Sequence, residues 1–151
     1  MGIVEELFGV DFLAILVAAI AGFGVGAIWY SPVAFGNLWL RYNPVPDEIL
    51  QHGPGSKPFI IGFVCTFVQA WVFALFLGWL TSSSMGAVIS RGEMVSGAIW
   101  VGTLLWLGFT ACTALCDAQF AGRPIGGWAI DAAHRLAAML VMAVILGLWI
   151  S

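Results

Sequence analysis

Four stretches of this chain stay apolar long enough to cross a lipid bilayer. A spanning helix needs about 20 consecutive, mostly apolar residues. The stretches run over about 12–30, 58–80, 91–117 and 127–150. Hydrophobic residues make up 62% of the 151 and charged residues 9%. A globular domain is roughly half apolar and about 25% charged, so a soluble fold this short lacks the interior to hide such runs. A bilayer solves the problem by wetting the outer face of every helix. The expected fold is therefore all-α: an integral membrane four-transmembrane-helix bundle, one transmembrane domain over residues 1–151. A long loop after helix 1 is expected to carry a short interfacial helix.

The ends of the runs carry their own signals. The first closes on Trp29-Tyr30, a pair suited to the headgroup region, and Pro32 stops it. The N-terminus before it is acidic, with Glu5-Glu6, so the run is expected to be a permanent span and not a cleaved signal. Ser56 is a candidate cap for the second run, with Pro58 at an early helical position. Ser90-Arg91-Gly92-Glu93 has the spacing of a capping box at the start of the third. The fourth begins near Trp128 and ends near Trp149.

Between the first two runs, Pro32 to Tyr42 mixes apolar, aromatic and basic residues, as a helix lying in the interface does. Pro46 to His52 has acids in its first turn and Gly53 after it, which predicts one or two helical turns. Arg41, Lys57 and Arg123 fall in the first and third loops, and only Arg91 on the other face. The positive-inside rule then sets the long loop in the cytoplasm of a multi-pass protein of the bacterial inner membrane, with both termini periplasmic.

Helices associate in lipid through small residues, because lipid tails offer no hydrophobic drive. Ala18, Gly22 and Gly26 form such a stripe on the first run, and Ala70, Ala74 and Gly78 on the second. Ala129, Ala133 and Ala137 form one on the fourth. The first stripe is the leading candidate for contact between copies.

The fourth run also holds Asp131, His134 and Arg135. Spacings of three and four residues let Asp131 touch both of the others. If Trp128 marks the interface, His134 sits about 9 Å deeper. Charges so placed should face protein or trapped water. Asp117 and Arg123 lie at the same membrane face, so Asp117, Arg123, Asp131, His134 and Arg135 are the candidate polar cluster. Tyr30 and Ser31 could join it, and Gln69 is the one amide inside the second run. In a structural reading, Asp131–Arg135 and Asp117–Arg123 are ion pairs pinning the last hairpin. In a functional reading, His134 and a carboxylate form a protonatable pair lining a pore or pocket.

Other chemistry is scarce. The net charge of −3 and the lack of a basic cluster argue against nucleic acid. Cys65, Cys112 and Cys116 sit inside apolar runs without a CxxC and are expected to be packing residues. Two histidines without metal spacing argue against a metal site, and no nucleophile–base set or phosphate loop stands out. No cofactor and no enzymatic activity are expected.

Ala27-Ile-Trp-Tyr-Ser-Pro-Val-Ala-Phe-Gly-Asn-Leu-Trp39 resembles the signature closing the first helix of DUF1761, a bacterial membrane family of unknown function. Trp106 to Phe109, Phe120 to Pro124, Trp128 to Asp131 with His134, and Ile145 to Trp149 are similar to its later parts. The resemblance implies four spans and no particular activity. The function expected from the residues is a non-catalytic helical bundle that lives among membrane lipids. It assembles with copies of itself or joins a larger membrane complex. The alternative is a small channel or transporter passing protons or a small solute along the His/Asp cluster. The orientation is checked by a cysteine at Gly55 in a background without Cys65, Cys112 and Cys116. A membrane-impermeant maleimide should label it only from the cytoplasmic side; labelling only from outside overturns the assignment.

Overall fold

The computed structural model describes residues 11–82 and 90–149. The acidic N-terminus, most of the loop joining the second and third spans, and Ile150 lie outside the described residues. Everything regular within them is helical. α1 is Phe12–Trp29, α2 Gly36–Tyr42, α3 Asp47–His52 and α4 Lys57–Ser82. α5 runs over Arg91–Phe120 and α6 over Ile125–Trp149. Four of these, α1, α4, α5 and α6, are long and apolar enough to cross a membrane.

Local chemistry sets their ends. Asp11 caps α1, accepting from the Leu13 amide at 2.8 Å and the Ala14 amide at 3.3 Å. Its other oxygen accepts the Trp149 indole N–H at 2.6 Å, which ties the first span to the last. That bond, with the two amides, holds the Asp11 carboxyl below the usual carboxylate range. The capping box forms at α5: Glu93 accepts from the Ser90 amide at 2.8 Å, and the Ser90 hydroxyl receives the Glu93 amide. Gly122, at φ +64°, closes α5 in the left-handed conformation that favours glycine.

α5 is not regular throughout. Residues Trp106–Ala111 wind as a π-helix, a one-turn widening that shifts which carbonyls the helix uses. Two indoles bridge this turn to α6 in opposite directions. Trp106 donates to the Ala132 carbonyl at 2.9 Å, and Trp128 donates to the Ala111 carbonyl at 3.2 Å.

α1 packs against both α4 and α6, and α6 against α5. The core lies toward the termini: Ile15, Ala18 and Ala19 of α1, Ala70, Phe73 and Leu77 of α4, Ala98 of α5, and Met142, Ala143 and Leu146 of α6. The stripes of α1 and α4 are used here, within one chain, whereas Ala129, Ala133 and Ala137 of α6 lie outside the core. Ala18, Ala70 and Ala74 are buried, and a Cβ on Gly22 would lie 3.1 Å from Met142. The α1 stripe is therefore not left open for a second copy. Gly78 has open space around it, and the three cysteines are exposed on the helix surfaces, away from the packing.

The chain leaves α1 through a tight turn. The Phe35 amide bonds to the Trp29 carbonyl at 2.9 Å, and the Gly36 amide to the Ser31 carbonyl at 3.0 Å. Gly36 is buried, and a Cβ there would strike the Tyr30 carbonyl oxygen and lie 2.8 Å from that of Ser31. Backbone cannot retreat as a flexible side chain can, so position 36 accepts only hydrogen. Gly36→Ala should destabilise the protein by about 1–3 kcal/mol through overpacking. Gly24→Ala, made where nothing stands within 4 Å, should be neutral or slightly stabilising. Thermal unfolding in detergent reports both; equal effects would show the turn to be looser than described.

Candidate functional site

The turn after α1 folds α2 back over α6 and sets two donors on one carboxylate. Asp131, half-buried on α6, accepts the Tyr30 hydroxyl at 2.8 Å and the Trp39 indole N–H at 2.8 Å, both on Oδ1. The two donor rings meet edge to face with centroids 5.7 Å apart. The start of α6 fits beneath α2, with Tyr42 and Asn43 lying over Gly126 and Gly127. Asp131 thus fastens the end of α1 and all of α2 to the last span.

His134 stands one turn further along α6. Its ring lies 4.9 Å from that of Tyr30 and 6.2 Å from that of Trp29, centroid to centroid. Its Nε2 faces α1 so closely that a Cβ on Gly26 would sit 3.0 Å away. Gly26 is what admits the imidazole. His134 Nε2 and Trp29 Nε1 are both buried without a hydrogen-bond partner among the described residues.

Two cavities flank these groups. The larger, of about 950 Å³, is lined by α1 from Gly22 to Tyr30, by α2 at Trp39 and Leu40, and by α4 from Pro58 to Gln69. His134, Arg135 and Ala138 of α6 complete its wall. It occupies the long-loop half of the molecule, and the packed core closes its inner end. Ala27, Phe59 and Gln69 on its lining are exposed residues, so it is not sealed. The smaller cavity, of about 150 Å³, is lined by Asn43, Thr113, Asp117, Arg123, Trp128, Asp131 and Arg135, among others.

Of the five candidate cluster residues, the smaller cavity gathers Asp117, Arg123, Asp131 and Arg135, while His134 turns to the larger. Arg135 borders both. The two expected ion pairs do not form. Asp131 uses Tyr30 and Trp39 instead of Arg135, and no ion pair joins Asp117 to Arg123. Neighbours three or four apart on a helix can reach each other, but here the Asp131 side chain is drawn to donors on α1 and α2. Asp117, Arg123 and Arg135 are exposed and carry no such compulsion. Tyr30 joins the site, whereas the Ser31 hydroxyl bonds to the Ile28 carbonyl at 2.7 Å.

Trp39, Gly36 and the larger cavity were not singled out as a site from the sequence. The signal for the first two was present in the Trp-Tyr-Ser-Pro…Phe-Gly segment, whose residues make the turn and supply the donors. The cavity had no local signal, because residues of α1, α2, α4 and α6 must come together to form it. Among the described residues, no group of three His, Cys, Asp or Glu side chains is placed to hold a metal ion.

A family model described as a protein of unknown function (DUF1761) matches residues 13–147. No curated protein and no solved structure matches the chain.

Asp131→Ala leaves the Tyr30 hydroxyl and the Trp39 indole without their acceptor and should cost about 1–3 kcal/mol in thermal unfolding. Asp131→Asn, which keeps an acceptor oxygen, should cost less. Adding Arg135→Ala to Asp131→Ala should not rescue stability, since the two residues are not paired. Rescue by the double change would restore the ion-pair description.

Proposed function

The chain belongs to the DUF1761 family, a family of unknown function, and we propose that it is a non-catalytic membrane protein that binds a small, largely apolar molecule. The cavity of about 950 Å³ between α1, α4 and α6 carries this reading. Ligand pockets span roughly 300–1,000 Å³, are mostly apolar, and hold a few polar groups that orient the guest. Here the apolar lining comes from Phe23, Leu40, Phe59 and Ala138, and the polar groups are Asn37, Thr66, Gln69, His134 and Arg135. The four long helices form the bundle in the bilayer, α2 lies in the interface, and the long loop faces the cytoplasm. Self-assembly through the α1 stripe loses support, since Ala18 and Gly22 pack inside one chain.

Transport is the second reading, favoured by the placement of His134 on the cavity wall. A cavity reaching one half of the membrane and stopped by a packed core resembles one state of an alternating-access carrier. The two readings separate by experiment. An alkyl chain bearing a diazirine should, on irradiation, label Phe23, Phe59 and Ala138 saturably in the purified protein. Phe substituted at Ala27 should suppress that labelling by filling the space. Labelling spread evenly over all outward-facing helix surfaces would remove the binding reading. Protein in liposomes should show no proton or solute flux above empty liposomes; a flux abolished by His134→Ala would replace binding with transport.

A further inference from the structure

The larger cavity has one charged side chain on its lining, and that charge is positive. Arg135 of α6 lines this space together with Phe23, Leu40, Phe59 and Ala138. The carboxylate nearest it in sequence, Asp131, is already bonded to Tyr30 and Trp39 and does not line this space. Arg135 makes no ion pair within the described residues. Arg135 is exposed and also borders the smaller cavity beside Asp117 and Asp131, so what it offers the larger cavity is a positive group at the edge of a mostly apolar wall, complementary to a guest anion.

From this juxtaposition we infer that the cavity takes a single-chain anionic amphiphile, a hydrocarbon tail ending in a carboxylate, with the carboxylate held at Arg135. The inference rests on the binding reading above and specifies its ligand. The guanidinium fork matches a carboxylate in two parallel hydrogen bonds. The tail runs along Phe23, Gly62 and Phe59, where α1 and α4 present apolar or small side chains. Asn37 and Gln69, also on the lining, are neutral and can donate to the same head or to water. One cavity at the upper end of the small-molecule range suits one chain with its head. The exposed lining residues Ala27 and Phe59 offer the tail a way in from the bilayer.

The test uses the whole chain in non-ionic detergent and native mass spectrometry with three probes: oleate, methyl oleate and a two-chain phosphatidylglycerol. Oleate should add once per chain, and Arg135→Gln, made at an exposed residue, should weaken that adduct by about ten-fold or more. Methyl oleate has the same tail without the charge, so it should bind more weakly and should not respond to Arg135→Gln. Ala27→Phe should reduce both, because it fills space without touching charge. Suppose oleate and methyl oleate bind alike, Arg135→Gln changes neither, and Ala27→Phe removes both. The cavity then binds ligands but the anionic assignment is wrong. Should neither probe form an adduct, the binding reading fails together with this one. An adduct of phosphatidylglycerol that depends on Arg135, without one of oleate, overturns the single-chain assignment.

Discussion

A carboxylate carried into an apolar helix must find hydrogen-bond donors, because lipid provides none. Asp131 finds two, and both come from the other end of the sequence. Tyr30 is 101 residues away and Trp39 is 92. To bring them together, the chain must leave α1, turn sharply and return across the start of α6. Gly36 permits the turn, Gly126 and Gly127 give α2 room to lie down, and Gly26 admits His134 beside Tyr30. The one carboxylate on α6 thus accounts for Gly36, Gly126 and Gly127 and for the aromatic donors Tyr30 and Trp39 in distant segments. It also fixes the roof of the larger cavity, because Trp39 and Leu40 form part of its lining.

The molecule divides along its length into a packed half and an open half. Toward the termini, Phe73 of α4 reaches across to Gly102 of α5, and Ile15, Met142 and Leu146 fill the space between helices. The Asp11–Trp149 bond closes that end. Toward the long loop, α4 presents Gly62, Thr66 and Gln69, and α1 presents Gly22, Gly26 and Ala27. α6 is held independently in this half. Its side toward α5 is fixed by the reciprocal Trp106 and Trp128 bonds across the π-helical turn. The groove wall carrying His134 and Arg135 therefore does not depend on α4 for its position.

The sequence announced what is local. The four apolar runs, the box at Ser90 and Glu93, and the short helix ending before Gly53 all depend on neighbours within a few residues. Asp117 predicts an end for the third span, yet the helix extends to Phe120, because Gly122, not the charge, stops it. Helical spacing proposed Arg135 as the partner of Asp131, and distance along the helix allowed it. The choice was made by Tyr30 and Trp39, whose arrival no spacing rule records. The π-helical turn was equally silent, since Trp106 to Ala111 reads as ordinary apolar helix. Small-residue stripes announce that some helix will approach closely, but not whether it belongs to the same chain. For Ala18 and Gly22 it does.

The open half persists for the same reason that the packed half can form. In water, an apolar gap of this size would drive the helices together. In a bilayer, lipid hydrocarbon is as favourable a neighbour as another helix, so association rests on close packing. Where Phe73, Met142 and Leu146 supply volume, the helices gain contacts and hold. Where Gly26 and Ala27 of α1 and Gly62 and Thr66 of α4 line the cavity, too little side chain is present to fill the gap. Phe23 and Phe63 meet edge to face, 5.7 Å between centroids, and prop the two helices at that separation. The cavity is therefore written into the chain as small residues on two facing helices, bounded by aromatic spacers. Arg135 and His134 set the polar side of that space.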